Sequence, residues 1–441
     1  MNNLLPLFHY AHDQVVCRYA GRAIDGACFL SHVRHLAKQL PSCRYIINLC
    51  NDRYHFMIGF AAALLEKKIS LFPPNQTSGS IDQLAEEYSE SFCLTDDLIR
   101  EMKSEQGESS FYNDTSLSED YSIPMIESDR LAAIIYTSGS TGTPKANLKY
   151  WGDLQKGIGM AVARFAIRER GIRSLIGTVP QQHMFGFETT ILIPWYCGIT
   201  VHTGCPLFPA DVRDALFHTQ TPRLLITTPI HLRACQAAEL EWPEIELVIS
   251  STAPLSGGLA ASAETALSTL VMEIYGSTET GSVASRRTKE GDWWQLYDQM
   301  LLLQEGNRFS IQGPQLPEKI VLNDYLELQN HGRFRLVGRQ EDLIKIAGKR
   351  ASLGDLNHKL NAIAGVEDGA FLLPEKGDRE ITRLVAIVVA PGLSRDAILA
   401  SLGKSLDPAF LPRRIYQVEA LPRNSTGKLP RQSLVEMLEH L

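Results

Sequence analysis

YTSGSTGTPKA, Tyr136 to Ala146, follows directly on the apolar run LAAIIYT and packs five Ser and Thr residues, two glycines and a lysine into eleven positions. Glycines let backbone amides approach a polyphosphate without a Cβ in the way. The hydroxyls donate further hydrogen bonds, and Lys145 adds a positive charge. A strand that ends in such a loop is the pattern of an α/β sheet that binds an anion at its edge. The spacing is not that of a Walker loop, which needs GxxxxGK followed by Ser or Thr.

Outward from this loop, strand-like apolar runs alternate with helical ones through the first two thirds of the chain. RYIINLC, SLIGTVP, RLLITTP, LVISSTAP and VMEIYGS read as strands, and HFMIGFAAALLEKK and PADVRDALFHT as helices. The expectation is an α/β fold with mostly buried sheets. A polar stretch from Glu101 to Arg130, rich in Ser, Glu and Asp, reads as a surface connection.

A second glycine-bearing turn, YGSTETG (Tyr275 to Gly281), again follows an apolar run. It places Thr278 and Glu279 at a strand end, where α/β sheets bind ligands. A hydroxyl for a phosphate and a carboxylate for a divalent ion suit that place, since Mg²⁺ usually takes one or two carboxylates plus phosphate oxygens. Glu279 is the metal candidate. After Gly338 the character changes to a charged segment, RQEDLIK, then to a strand pair around FLLPE and LVAIVVAP, a helix near DAILASL and the terminal PRNSTGKLPRQSLVEMLEHL. The expected layout is a large domain over 1–338, a hinge at 339–342, where hydrophobic cover is thin, and a small α+β domain over 343–441.

The bulk numbers suit a soluble two-domain enzyme: 441 residues, 44% hydrophobic, 21% charged. A net charge of -7 argues against a nucleic-acid surface, which needs a concentrated excess of Lys and Arg. Eight scattered cysteines without a CxxC pair suggest neither a zinc site nor a redox motif. No run of 18 apolar residues and no leader-like start are present, so no membrane span is expected and the cytoplasm is the expected location.

Together, the two turns, VGRQEDLIKIAGKR (Val337 to Arg350) and LPRNSTGK (Leu421 to Lys428) resemble the adenylate-forming superfamily of acyl-CoA synthetases, nonribosomal peptide adenylation domains and luciferases. The resemblance spans nearly the whole chain, with the motifs in the family's order. It implies a large N-terminal domain of mixed sheets and helices and a mobile C-terminal domain. It implies that Thr137, Ser138, Gly139, Ser140, Thr141, Gly142, Thr143 and Lys145 hold the β and γ phosphates of ATP. Ser251, Ala253, Pro254, Tyr275 and Gly276 would border the adenine. Asp324 would grip the ribose with help from Arg339, although Leu322 and Asn323 stand where relatives have Thr-Gly.

Lys428 matches the family's mobile catalytic lysine, a compact charge on a flexible stem. Glu341 takes the hinge position, and Gly348 and Arg350 would reach the site after domain rotation and border a thiol channel. His183, with Met184, Phe185 and Gly186, matches the family's acid pocket; no aspartate stands there to pair with an ammonium, which favours a non-amino acid. The compact length, the 45-residue interval from Glu279 to Asp324 and GKRASL after the hinge resemble ligases found with aryl polyene and xanthomonadin genes.

The implied activity is adenylation of an acid, aryl or fatty, by ATP with Mg²⁺. Transfer to a phosphopantetheine thiol, of an acyl carrier protein or of CoA, would follow. A noncatalytic nucleotide sensor, an enzyme that adenylates an amino acid, or a plain scaffold are the competing readings.

Overall fold

Each apolar run named above becomes a strand or a helix. The computed structural model describes residues 3–101, 121–137, 145–339, 343–346, 349–374, 384–423 and 429–441. An eleven-stranded sheet has at its centre the parallel strands Leu270–Ser277, Leu247–Ser250, Arg223–Thr227, Ser174–Gly177, Thr200–His202 and Val15–Tyr19, side by side in that order. Every residue of Ser174–Gly177, Arg223–Thr227 and Leu247–Ser250 is buried, which explains why these strands read as unbroken apolar runs with no alternation. Antiparallel strands, among them Gly281–Arg286, Arg333–Arg339 and Asp324–Gln329, extend the sheet beyond Leu270–Ser277.

A five-stranded sheet runs in the order Ser91–Leu94, Tyr45–Asn48, Ile69–Phe72, Leu131–Thr137, Lys145–Tyr150, all parallel except the last. Between the strands Tyr45–Asn48 and Ile69–Phe72 of this sheet, helix Arg53–Leu65 is buried from Arg53 to Leu64, and Asp52 caps it by accepting from the Tyr54 and His55 amides. One apolar cluster contains this helix's Phe56 and Phe60 together with Ile46 of the smaller sheet and Leu175 and Leu224 of the larger one, so the two sheets share a core. Each such side chain contributes about 1.5–3 kcal/mol on burial.

Residues from Ile344 onward build separate cores, one around Leu356, Ala386, Ile398 and Phe410 and another around Leu372, Ile387 and Leu434. The strand pair expected at FLLPE and LVAIVVAP forms as Asp368–Leu372 antiparallel to Val385–Val389, and the expected helix as Arg395–Gly403. The sheet also gains Arg414–Gln417, parallel to Val385–Val389, and helices Leu353–Asn361 and Arg431–Glu439 stand beside it in sequence. The fold class is thus α/β with a small α+β C-terminal part.

The stretch from Glu101 to Arg130 is not wholly a surface connection. Residues 102–120 lie outside the described residues, but Met125–Glu127 pairs antiparallel with Leu4–Pro6. Ile126 is buried while Met125 is half exposed, and that alternation holds the short strand against the core. No helix among the described residues is long and apolar enough to cross a membrane.

Candidate active site

The carboxyl ends of Ser174–Gly177, Arg223–Thr227, Leu247–Ser250 and Leu270–Ser277 point the same way, because the strands are parallel and in register: Gly177 faces Ile226, Thr227 faces Ser250, and Ser250 faces Glu273. The segments that follow these strands therefore meet along one edge. They include the loop to His183, Ser251 to Pro254, and the YGSTETG turn.

Tyr275 donates a 2.6 Å hydrogen bond from its Oη to Asp324 Oδ2, joining the residues assigned to adenine and ribose across the antiparallel extension of the sheet. Its ring is held by Trp294 and Phe334, with centroids 5.6 and 5.4 Å away. Asp324 and Arg339 are opposite partners in the strand register. Ser251 Oγ donates to the Ile274 carbonyl at 3.2 Å, tying the segment Ser251 to Pro254 to the strand that carries Tyr275. Next to it Thr252 has φ +80°, a left-handed conformation that strains a β-branched residue. Ser250 Oγ and Thr252 Oγ1 are buried and find no hydrogen-bond partner among the described residues, leaving polar capacity at the strand end.

The YGSTETG turn is closed by reciprocal bonds. The Ser277 amide donates to Thr280 Oγ1 at 3.1 Å and the Thr280 amide to Ser277 Oγ at 3.3 Å. Gly276 has no alternative: a Cβ there would stand 2.2 Å from the Gly281 carbonyl oxygen. Thr278 and Glu279 sit in the middle of this turn, and Lys145 Nζ lies 4.0 Å from Glu279 Oε1. Lys145, at the exit of the loop read as phosphate-binding, and the metal candidate, 134 residues apart in sequence, are thus neighbours. Both side chains keep access to solvent, at 69% and 32% exposed, as groups that receive a ligand must. Among the described residues no group of three His, Cys, Asp or Glu side chains is placed to hold a metal. Glu279 fits a divalent ion whose remaining ligands are phosphate oxygens and water, the usual habit of Mg²⁺.

His183 stands at the start of helix Met184–Phe187. Met184 and Gly186 are buried and Phe185 packs half-buried against the core. Gly186 is dictated by close approach, since its Cβ would lie 2.0 Å from the Pro180 carbonyl oxygen. Gln181 and Gln182 anchor the same loop by donating to the carbonyls of Cys50 and Asn51, at 2.7–3.0 Å. Of the remaining assigned residues, Thr137 ends its strand as expected. Ser138, Gly139, Ser140, Thr141, Gly142, Thr143, Glu341, Gly348 and Lys428 lie outside the described residues, and Arg350 lies in strand Lys349–Ser352.

Three charged residues at this edge escaped the sequence reading. Arg53 is fully buried, its guanidinium donating to the carbonyls of His202, Gly204, Gly177 and Val179 at 2.8–3.2 Å, so it ties the ends of two neighbouring strands. Lys149, 9% exposed, donates from Nζ to the Glu279 carbonyl at 3.1 Å. Burial pushes its pKa down, against the nearby carboxylates of Glu188, Glu279 and Asp153. Glu188, 6% exposed, begins a π-helical turn, Glu188–Leu192, and accepts from the Ser282 amide at 3.1–3.2 Å through both oxygens. Burial pushes its carboxyl up to about 7, with the Ser282 amide and Lys149 opposing. The signal that was available is a charge inside an apolar run, ANLKY and GFETTILIP, which a folded chain tolerates only when the charge has a partner.

The family described as AMP-binding enzyme matches residues 37–315. The chain is 30% identical over 307 residues to the 4-coumarate–CoA ligase of Rhodobacter capsulatus, covering 68% of this chain and 75% of that protein. It is 23% identical to the 2-succinylbenzoate–CoA ligase of Oceanobacillus iheyensis over 98% of this chain and 93% of the relative. Among solved structures, ATP-bound MatB from Rhodopseudomonas palustris superposes with a TM-score of 0.80 at 18% identity, covering 97% of this chain and 96% of that one. The o-succinylbenzoate CoA synthetase of Bacillus subtilis, in complex with its acyl-adenylate intermediate, gives 0.78 at 17% identity, covering 96% and 95%. At these identities the structural likeness establishes the fold.

Proposed function

Because the chain belongs to the AMP-binding enzyme family, we propose that it is an ATP-dependent carboxylic acid:thiol ligase that works in two half-reactions. In the first, a carboxylate oxygen attacks the α-phosphorus of ATP, the α–β bridging bond breaks, and acyl-AMP and pyrophosphate result. In the second, a thiol sulfur attacks the acyl carbon as its proton passes to solvent, AMP leaves with the electron pair of the C–O bond, and a thioester remains.

The observation that carries this reading is the convergence on one sheet edge of Lys145 with Glu279, 4.0 Å apart, and of Tyr275 with Asp324, 2.6 Å apart. The first pair suits the polyphosphate and its metal, the second the nucleoside. Bound Mg²⁺ would neutralise phosphate charge, with Glu279 as its protein ligand. Thr278 would offer its hydroxyl to a phosphate, and the loop from Thr137 to Lys145 would hold the β and γ oxygens. Lys428 would stabilise the charge gathered on the in-line oxygens more in the transition state than in the separated reactants. The division at 339–342 would let the C-terminal part withdraw this lysine and bring Gly348 and Arg350 up for the thiol.

The acid is a non-amino carboxylic acid, an aryl acid foremost, received beside His183, Met184 and Phe185. The relatives named for coumarate and succinylbenzoate support an aryl substrate and CoA as acceptor; the compact aryl polyene pattern favours a carrier-protein thiol. The test is ATP–pyrophosphate exchange against aryl, medium-chain, short-chain and amino acids, followed by thioester formation with CoA and with a pantetheinylated carrier protein. Exchange with one acid class supports the reading and names that class. Silence across the panel, with ATP still bound in calorimetry, would instead favour a nucleotide sensor. Lys428→Ala should nearly abolish exchange while leaving thiol transfer from supplied acyl-AMP largely intact; equal loss in both would sink the alternation of domains.

A further inference from the structure

The turn that carries Glu279 is gripped at two points by buried charges from two other motifs. Lys149, on the strand that leaves the phosphate loop, donates to the Glu279 carbonyl at 3.1 Å. Glu188, one turn beyond His183, accepts from the Ser282 amide through both oxygens. The two grips lie on either side of Thr280 and Gly281, and the two charges sense each other inside the protein. Gly281, with φ +67°, leaves room for this arrangement: a Cβ on it would stand 2.6 Å from Glu188 Oε1 and 3.5 Å from the Met184 methyl.

A lysine and a glutamate, each under a tenth exposed, are costly to bury when apolar side chains of similar size would fill the space. Simple packing does not account for them. What they do accomplish is geometric. With its carbonyl and the amide three residues on both held by charge-assisted bonds, the backbone of Glu279 has little freedom to turn, so its Cα–Cβ bond leaves the turn in one direction and the carboxylate sweeps only the space its own torsions allow. A π-helical turn at Glu188 is the kind of local irregularity that serves such placement.

We propose that Lys149 and Glu188 are positioning residues that clamp the Ser277–Ser282 turn and so aim the Glu279 carboxylate at the divalent ion, linking the strand Lys145–Tyr150, the segment after His183 and the metal ligand through buried charges. The proposal rests on the reading of Glu279 as the metal ligand, and the experiment separates the two. Groups that orient a metal ligand change metal affinity by about 10- to 100-fold when removed. Lys149→Met should therefore raise the Mg²⁺ concentration for half-maximal pyrophosphate exchange about tenfold, and weaken MgATP binding while leaving the affinity for ATP in EDTA at its wild-type value. A loss of packing alone would lower both affinities together.

Glu279→Gln is measured beside it. If Glu279→Gln raises the Mg²⁺ requirement and Lys149→Met does not, the clamp is wrong and the metal assignment stands. If neither changes it, both fall. Should Lys149→Met not fold, Glu188→Gln keeps the shape and an acceptor for the Ser282 amide but removes the charge. It is expected to raise the requirement about fivefold, the share of a charge-assisted bond that a neutral one does not supply, and an unchanged requirement in that variant overturns the proposal.

Discussion

Replacing Tyr275 by Phe removes one atom and leaves the rest of the site in place, which makes it the sharpest probe of the nucleotide edge. The lost hydroxyl donates at 2.6 Å to Asp324 Oδ2, a bond to a carboxylate. Bonds to charged groups contribute about 1.5–3 kcal/mol net. Both partners are half exposed, so water competes and the lower end applies, about 1.5 kcal/mol. The phenyl ring keeps its neighbours Trp294 and Phe334 at 5.6 and 5.4 Å, so stability should fall by no more than about 1.5 kcal/mol. On the proposed reading Asp324 grips the ribose, and Tyr275 holds the carboxylate in place for it. The KM for ATP in pyrophosphate exchange should then rise about tenfold with kcat within about twofold, the pattern of lost uniform binding. The Asp324→Asn and double variants complete a cycle, in which the two losses should overlap by about 1 kcal/mol. An unchanged KM, or losses that simply add, would refute the coupling and with it the assignment of Asp324.

The buried Glu188 makes stability depend on pH. Its carboxyl is raised from 4.5 to about 7 in the folded chain, so the folded state binds the proton more tightly than the unfolded one. This contribution is fully present below pH 4.5 and is lost as pH rises to about 7, a change of about 3 kcal/mol. Urea unfolding at stepped pH should show wild type losing stability over that window relative to Glu188→Gln, and parallel curves would dismiss the idea. Gly186→Ala drives a Cβ to 2.0 Å from the Pro180 carbonyl oxygen, a backbone atom that cannot swing aside. It should destabilise the chain by about 2 kcal/mol and weaken acid binding; wild-type values of both would mean the loop relaxes at no cost. Arg53→Met strands four carbonyl groups that the guanidinium now satisfies and should cost at least about 3 kcal/mol in the same assay, so a smaller loss would mean that water replaces the side chain.

Much of the molecule was legible because local chemistry and global fold agree. Runs such as LLIT and LVIS can satisfy their apolar side chains only in a sheet covered on both faces, and they sit in one. The glycines and hydroxyls of the two turns marked strand ends as candidates for ligand binding, and there Lys145 lies 4.0 Å from Glu279 while Tyr275 bonds Asp324. The short strand Met125–Glu127 was hidden because three residues carry too little period to be seen against a polar background.

Sequence by itself determined the strand–loop–strand order, the α/β class and the family resemblance, and it supplied the expectation that Tyr136 to Ala146 receives an anion, all of which live in residue types within a few positions of one another. Only the tertiary structure decided that Lys149 and Glu188 flank the Glu279 turn, that Arg53 ties two strand ends, and that Gly186 exists to clear Pro180. The physical reason is that a charge or a glycine has no fixed meaning alone. Its value is set by the partner that folding brings within a few ångströms, and those partners here lie from a few residues to more than a hundred away along the chain.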